Sequence, residues 1–185
     1  MTFILKLLRY NDMIASSLGI LSNLFLIFLI FTVNKPNLKQ MSYTLLQNCY
    51  LDLLLAVVTL ISEPQIVVVN GIYYNIVGSY FYTLGYAFSS LIISTYGTSL
   101  TLSVIAMPVP FYIRYLVLCK DTTITKSLIL KVYGFILGIT LLLYCACILC
   151  CWPFPSTYEM YAPALQTKFW LDEYIGGPKF CAIHP

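Results

Sequence analysis

The sequence predicts an all-α membrane protein with four transmembrane helices. Hydrophobic residues make up 60% of the chain and charged residues only 9%, whereas soluble domains contain about 45–50% and about 25%. Four separate segments are apolar over the roughly 20 residues that a helix needs to cross a bilayer core of about 30 Å. The connections between them are short, which is typical of antiparallel helices that lie side by side.

The first apolar segment follows a short N-terminal stretch that carries Lys6 and Arg9. Signal peptides share this order, but the apolar stretch here runs from Met13 to Val33. It is longer than the roughly 7–15 residues of a signal core, and no small-residue cleavage site follows it. We therefore predict an extracellular N-terminus at residues 1–11 and a retained first transmembrane helix at residues 12–33.

The remaining elements alternate between spans and connections. We predict transmembrane helices at residues 42–69, 82–113 and 127–151, separated by a cytoplasmic loop at 34–41, an extracellular loop at 70–81 and a cytoplasmic loop at 114–126. Pro153 and Pro155 follow the fourth span and end its helix, because proline has no backbone N–H to donate. Residues 152–185 are predicted to be an extracellular tail without a further span.

The orientation in the membrane follows from the basic residues that flank the spans, since cytoplasmic loops carry an excess of lysine and arginine. One side carries Lys35, Lys39, Arg114, Lys120, Lys126 and Lys131, and the other carries Lys6, Arg9, Lys168 and Lys179. Acidic residues offset the second set more than the first. The N-terminus is therefore predicted to lie outside, although Lys6 and Arg9 favour the opposite orientation.

Several function classes lack the residues that they need. The ten basic residues are scattered, so no basic stripe for nucleic acid exists. No nucleophile, base and oxyanion donors converge, and we expect neither an enzyme nor a cofactor. Cys147 and Cys151 share a helix face, but His184 is the only histidine, and a zinc site is not expected. Cys181 is predicted to be a free thiol.

A buried polar pair is predicted between the first two helices. Asp52 lies ten residues beyond Ser42, or about 15 Å into the bilayer at 1.5 Å per residue. Asn23 reaches the same depth on the first helix, so a hydrogen bond between the two side chains is geometrically allowed. Gly19 would let these helices approach closely. Asp52 is either a protonated group that only holds helices together or part of a cation-linked or protonation-linked switch.

A ligand site is predicted in the outer half of the bundle. Glu63 returns to nearly the same helix face as Asp52, about three turns higher, and Pro64 beside it would kink the helix. Depth in the membrane adds Gln65, Tyr82 and Tyr86 as candidate ligand-binding residues. The alternative for Glu63 is that its carboxylate simply reaches the outer headgroups.

The third span is the most polar. Ser90, Ser94 and Thr98 recur at intervals of four residues, and such hydroxyl stripes belong inside a bundle. They could instead line a water path. Pro108 and Pro110 distort the inner end of this span shortly before Arg114.

Three stretches resemble the nematode serpentine chemoreceptors of the Str superfamily, which are seven-transmembrane G-protein-coupled receptors. The first runs from Lys35-Pro36 through Tyr43 and Leu45-Leu46 to Asp52. The second, Glu63-Pro64-Gln65-Ile66, is similar to a pattern of the Srd class, with Gln65 in place of an arginine. The third, Phe111-Tyr112-Ile113-Arg114-Tyr115, resembles the family's Phe-x-Tyr-Arg-Tyr motif with its order altered.

This resemblance implies a function and partners. The four spans would be helices 1 to 4 of a seven-helix receptor bundle in the plasma membrane of sensory cells. The receptor would bind a small-molecule odorant or pheromone outside and a heterotrimeric G protein inside. Arg114 and Tyr115 would form the cytoplasmic motif of helix three, and Asn23 and Asp52 would match a buried polar pair.

The chain departs from the family pattern in two respects. No cysteine stands at the outer end of the third span, so Cys181 lacks the partner that the resemblance implies. The chain also ends after four spans, so we expect a truncated product, a splice form or an incomplete gene model.

Two other functions stay open. The four-span chain could be an interaction protein that associates with other receptors in an oligomer and does not itself signal. A tetraspanin-like or channel-like protein fits the number of spans, but tetraspanins have a large cysteine-rich loop where this chain has a short basic turn at Cys119–Thr123.

Overall fold

The computed structural model describes residues 2–32, 39–78, 83, 85–120, 126–152, 154, 159–174 and 177–183. This part of the chain is mostly helical. Four of its helical segments are long and apolar enough to cross a membrane: Lys6–Thr32, Leu45–Ser62, Tyr86–Leu116 and Ser127–Cys151. The predicted fold class, an all-α membrane protein with four spans, is confirmed.

Helix α1 (Thr2–Thr32) packs against helix α2 (Lys39–Ser62). Gly19 lies at this contact, but a Cβ atom placed on it would lie 3.8 Å from the Cβ of Ala56, an ordinary van der Waals distance, so the packing does not require a glycine there. Helix α1 also begins ten residues earlier than predicted. Residues 3–8 contain five large apolar side chains and no proline or glycine, so the helix continues beyond the apolar core of the span.

The second span is shorter than predicted, because α2 ends at Ser62 and an antiparallel hairpin follows. Strands β1 (Pro64–Val69) and β2 (Ile72–Val77) pair in register from Pro64 with Val77 to Val69 with Ile72. Proline cannot donate the next helical hydrogen bond, and the run from Ile66 to Val69 is β-branched throughout and favours a strand. Asn70 and Gly71 have φ of 52° and 80°, the left-handed values that a tight hairpin turn requires.

The tail adds a third strand and a short helix. Strand β3 (Phe180–Ile183) pairs antiparallel with β2, giving the order β1-β2-β3. A 3₁₀ turn (Ala162–Leu165) and helix α6 (Lys168–Glu173) lie between the fourth span and this strand. Tyr74, Ile76 and Tyr174 are buried in one core between the sheet and the tail. The tail therefore folds back onto the hairpin.

The third span consists of two helices. Helix α3 (Tyr86–Ala106) is followed by Met107 and Pro108, and α4 (Val109–Lys120) begins directly after them. Pro108 and Pro110 explain the break, since each removes a helical donor. The predicted span stopped at residue 113, but α4 extends seven residues further. Arg114 and Tyr115 therefore lie on a helix and not in a loop.

Helix α5 (Lys126–Cys151) packs against α3, which also contacts α2. Val109 and Ile113 of α4 form a small buried cluster with Ile136 of α5. Elsewhere the spans expose large apolar side chains, for example Leu142, which is 73% exposed. Only 6% to 28% of the residues in the four apolar windows are buried within the chain. Such surfaces suit contact with lipid or with other transmembrane helices.

Candidate ligand site at the outer end of the bundle

The junction between α2 and the hairpin fixes the backbone of Glu63. The N–H of Glu63 donates to the carbonyl of Thr59 at 2.9 Å, and the N–H of Gly78 donates to the carbonyl of Glu63 at 3.1 Å. Glu63 has a φ of 40°, which is uncommon for a residue with a side chain. A Cβ atom on Gly78 would lie 2.5 Å from the Glu63 carbonyl oxygen. Glycine at position 78 therefore permits the contact that closes this end of the hairpin.

Four polar side chains meet at this junction, and we name Arg9, Glu63, Gln65 and Tyr174 the outer polar cluster. Arg9 Nε lies 4.0 Å from Glu63 Oε2. Arg9 Nη2 donates to the hydroxyl of Tyr174 at 2.8 Å, and that hydroxyl donates to Gln65 Oε1 at 2.9 Å. The cluster thus joins α1, the end of α2, β1 and the tail.

The cluster is partly enclosed. Tyr174 is completely buried, and the side chains of Arg9 and Glu63 are 25% and 18% exposed. The Arg9 guanidinium also lies 5.5 Å from the centre of the Tyr174 ring, within the range of a cation–π interaction. Ion pairs in such a setting are less screened by water than those on an open surface.

Burial raises the pKa of the Glu63 carboxyl above its usual value of 4.5. The positive charge of Arg9 opposes this shift, and the negative charge of Asp12 adds to it. Burial prevails because removing a carboxylate from water favours its neutral form. Glu63 can therefore change its charge at a higher pH than an exposed glutamate.

Gln65 contributes an unused donor to the cluster. Its Nε2 atom is buried and has no hydrogen-bond partner among the described residues. A buried amide donor without a partner is unfavourable by about 1–3 kcal/mol. A water molecule or a ligand with an acceptor oxygen would therefore be stabilised by a hydrogen bond from Gln65 Nε2.

The four predicted ligand-binding residues have different environments. Glu63 and Gln65 come together in the outer polar cluster, whereas Tyr86 begins α3 and has Lys179 Nζ 3.8 Å above its ring centre. Tyr82 lies outside the described residues. Arg9 and Tyr174 were not predicted as site residues. One feature of the sequence could have pointed to Arg9: it is a basic residue on the side of the membrane that was predicted to be extracellular.

The predicted hydrogen bond between Asn23 and Asp52 is not formed in the structure. Asn23 Nδ2 donates to the carbonyl of Gly19 at 2.9 Å, one turn back in its own helix. Asp52 lies on α2 with an exposed side chain. Both residues lie within apolar spans, Lys6–Thr32 and Leu45–Ser62, and the amide of Asn23 is satisfied within α1.

At the opposite end of the molecule, the arginine motif lies on α4. Arg114 and Tyr115 are both exposed, while the flanking Ile113 and Leu116 are buried. Helical periodicity explains this arrangement, since Ile113 and Leu116 share one face. The chain thus presents a cation and a phenol on its surface at this end.

Comparison with known families agrees with this architecture. The family model described as "Serpentine type 7TM GPCR chemoreceptor Str" matches residues 9–173. No curated protein and no solved structure matches the chain. The matched region contains the last three spans, all but three residues of the first span, most of the outer polar cluster and the Arg114-Tyr115 motif. The chain therefore belongs to the Str family of serpentine chemoreceptors, which are multi-pass membrane receptors of the G-protein-coupled class.

Proposed function

We propose that this chain acts as a chemosensory receptor that takes up a small-molecule odorant or pheromone at the outer polar cluster. The observation that carries the proposal is the convergence of Arg9, Glu63 and Gln65 at one end of the spans. Charged groups next to a membrane core are costly and tend to be kept for function. The predicted orientation puts this end outside, where an odorant arrives.

The chemistry of the cluster indicates which ligands it favours. Gln65 Nε2 needs an acceptor, and Arg9 offers positive charge beside the Glu63 carboxyl. A compact ligand with a carbonyl, hydroxyl or carboxylate oxygen satisfies Gln65 without displacing the existing bonds. Tyr82 and Tyr86 stay proposed ligand-binding residues on the strength of their predicted depth alone.

The inner end is proposed to meet a heterotrimeric G protein. Exposure of Arg114 and Tyr115 on α4 supports this role, because an exposed arginine can pair with acidic or carbonyl groups of a partner. The pair Glu63-Pro64 favours the Srd class and a nematode origin. The plasma membrane of sensory cells is the proposed location.

A calcium-imaging screen in cells that express the chain with a promiscuous G protein tests this function. Small alcohols, esters, ketones and carboxylic acids are applied singly. Gln65→Leu should raise the half-maximal concentration of an active compound about tenfold, as expected for the loss of one buried hydrogen bond of about 1.4 kcal/mol. Gln166→Leu is the matched control, since Gln166 is exposed in the tail.

Two results would contradict the proposal. One is that Gln65→Leu and Gln166→Leu respond equally to every active compound. The other is that no compound elicits a response although surface labelling detects the chain on the cells.

A second candidate function is association with another receptor. Asp52 lies in the middle of the span Leu45–Ser62, and its exposed side chain has no partner among the described residues. An ionisable group facing lipid at that depth is unfavourable by about 2.5–3.5 kcal/mol. A polar group of a neighbouring transmembrane helix would remove this cost, whether it belongs to further helices of a seven-helix bundle or to another receptor chain.

Co-immunoprecipitation from membranes tests this second function. A tagged full-length receptor of the same family should be recovered with the wild-type chain and lost with Asp52→Leu, while Asp172→Leu, a change in the tail, should retain it. Recovery of no receptor by the wild-type chain would argue against association.

A further inference from the structure

Two cysteines meet where the fourth span joins the outer sheet. Cys151 is the last residue of α5, and Cys181 lies in β3. Their sulfur atoms are 2.7 Å apart, with Cys181 as the donor. Both side chains are buried, at 8% and 4% exposure, in a cluster with Val77 and Ile93.

We propose that Cys151 and Cys181 are a disulfide pair that fastens the extracellular tail to the fourth transmembrane helix. The two sulfur atoms already face each other, so the bond requires little backbone movement. A disulfide has an S–S distance of about 2.05 Å, well under one ångström from the separation observed in the thiol form.

The chemistry of the step is an ordinary two-electron oxidation. Both S–H bonds break, one S–S bond forms, and two protons and two electrons leave. A protein disulfide oxidant of the secretory compartment accepts them and becomes a dithiol. This step rests on the proposed orientation, because disulfides persist only on the lumenal or extracellular side.

The neighbouring cysteines do not share this geometry. Cys150 is adjacent in sequence but exposed, and Cys147 lies one turn earlier on α5. Among the described residues, only Cys151 has its sulfur within bonding reach of Cys181. The resemblance implies a cysteine partner at the outer end of the third span, which this chain lacks. Here the bond would instead fasten the tail to the fourth span.

The bond would enclose the tail segment that completes the outer polar cluster. Tyr174 lies between the two cysteines in sequence, and its hydroxyl bridges Arg9 and Gln65. Fastening β3 to α5 restricts the positions that this segment can take. A ligand site built on Tyr174 should therefore weaken when the bond is absent.

Peptide mapping of the membrane-expressed chain tests the pairing. The hydrogen bond to Cys151, with burial adding to it, raises the pKa of the Cys181 thiol, so a buried thiol reacts slowly. N-ethylmaleimide is therefore added in sodium dodecyl sulfate, where every free thiol is accessible. Trypsin then releases one peptide that begins at Phe180 and another that spans residues 132–168.

The expected result is that these two peptides travel as one species until a reductant separates them. Cys151→Ser should release the peptide that begins at Phe180 without reductant, whereas Cys150→Ser, the matched control, should leave it linked. Recovery of Cys181 alkylated by N-ethylmaleimide in the wild-type chain would overturn the inference. So would linkage that survives Cys151→Ser.

The orientation is tested separately, so that the two failures can be told apart. Gln166→Asn together with Lys168→Ser creates an N-glycosylation acceptor in the tail. A glycosylated tail with alkylated Cys181 overturns the disulfide and leaves the orientation intact. An unglycosylated tail with alkylated Cys181 overturns both, and linked peptides support the disulfide.

Discussion

At the scale of single residues, Glu63 shows how a carboxyl can be kept beside a membrane. Its carboxyl lies 4.0 Å from Arg9 Nε, and its backbone adopts a left-handed conformation with a φ of 40°. That conformation costs a residue with a side chain about 1–2 kcal/mol. The strained backbone of Glu63 is maintained because the pairing of β1 with β2 begins at the next residue, Pro64.

The stability of the outer end should therefore depend on pH through Glu63. The folded chain binds its proton more tightly than the unfolded chain, because burial raises the pKa above 4.5. Stability from this group is fully present below pH 4.5 and declines as pH rises through the raised pKa. Thermal denaturation in detergent from pH 4 to 7 should show a falling melting temperature that Glu63→Gln flattens.

A suitable control for this measurement is Glu159→Gln, since Glu159 is exposed in the tail. It should retain the slope of the wild-type chain. A wild-type melting temperature that rises steadily over the same range would contradict the assignment, because it would mean that the ion pair with Arg9 outweighs burial.

Among these residues, the sequence predicted the pair Glu63 and Gln65 but neither of their partners. Arg9 and Tyr174 are 165 positions apart in the chain, and no periodicity connects positions so distant. Their meeting depends on the tail folding back over the sheet. Asp52 differs from them, because its place within the second span could be predicted from hydropathy but the exposure of its side chain could not.

At the scale of elements, the hairpin is a segment in which hydropathy does not distinguish a strand from a helix. The stretch Pro64–Val69 is as apolar as a transmembrane helix, and an apolar run by itself does not distinguish strand from helix. The distinguishing signals were local: Pro64, four consecutive β-branched residues and the Asn70-Gly71 turn. These three features favour a hairpin. The prediction of a kinked helix was wrong because it relied on the apolar character of the segment.

The closure of the hairpin should depend on glycine at position 78. Gly78→Ala would put a methyl group 2.5 Å from the Glu63 carbonyl oxygen. Because that oxygen belongs to the backbone, relief requires a shift of the chain and should reduce stability by about 1–3 kcal/mol. Thermal denaturation of the chain in detergent measures the loss.

Gly138→Ala provides the comparison, because a Cβ atom there meets nothing within 4 Å. Alanine in a helix is favoured over glycine by up to about 1 kcal/mol, so this variant should be neutral or slightly more stable. Equal melting temperatures for the two variants would show that the contact at Gly78 is relaxed without cost.

At the scale of the whole molecule, two structural regimes meet in one short chain. Within the spans, packing is sparse and large apolar side chains face outward, as Leu142 does. At the outer end, Tyr74, Tyr174 and Ile76 form a dense core of the kind found in soluble proteins. Composition predicted the first regime, whereas the second required knowledge of which tail residues return to the hairpin.

Membrane insertion of the fourth span should be sensitive to charge at an exposed apolar position. Leu142→Arg places a cation near the middle of Ser127–Cys151 and should disfavour insertion by about 2.5–3.5 kcal/mol. Leu171→Arg, on α6 and 49% exposed, should have no such effect. Resistance to alkaline carbonate extraction compares the two, and equal extraction would contradict the assignment of the span.

The break between α3 and α4 has a mechanical consequence. Pro108 and Pro110 cannot donate to the carbonyls of Val104 and Ala106, so two successive rungs of the helical ladder are missing at one level. The segment that carries Arg114 is therefore joined to α3, which packs against α2 and α5, by a stretch with fewer backbone hydrogen bonds than a continuous helix would have.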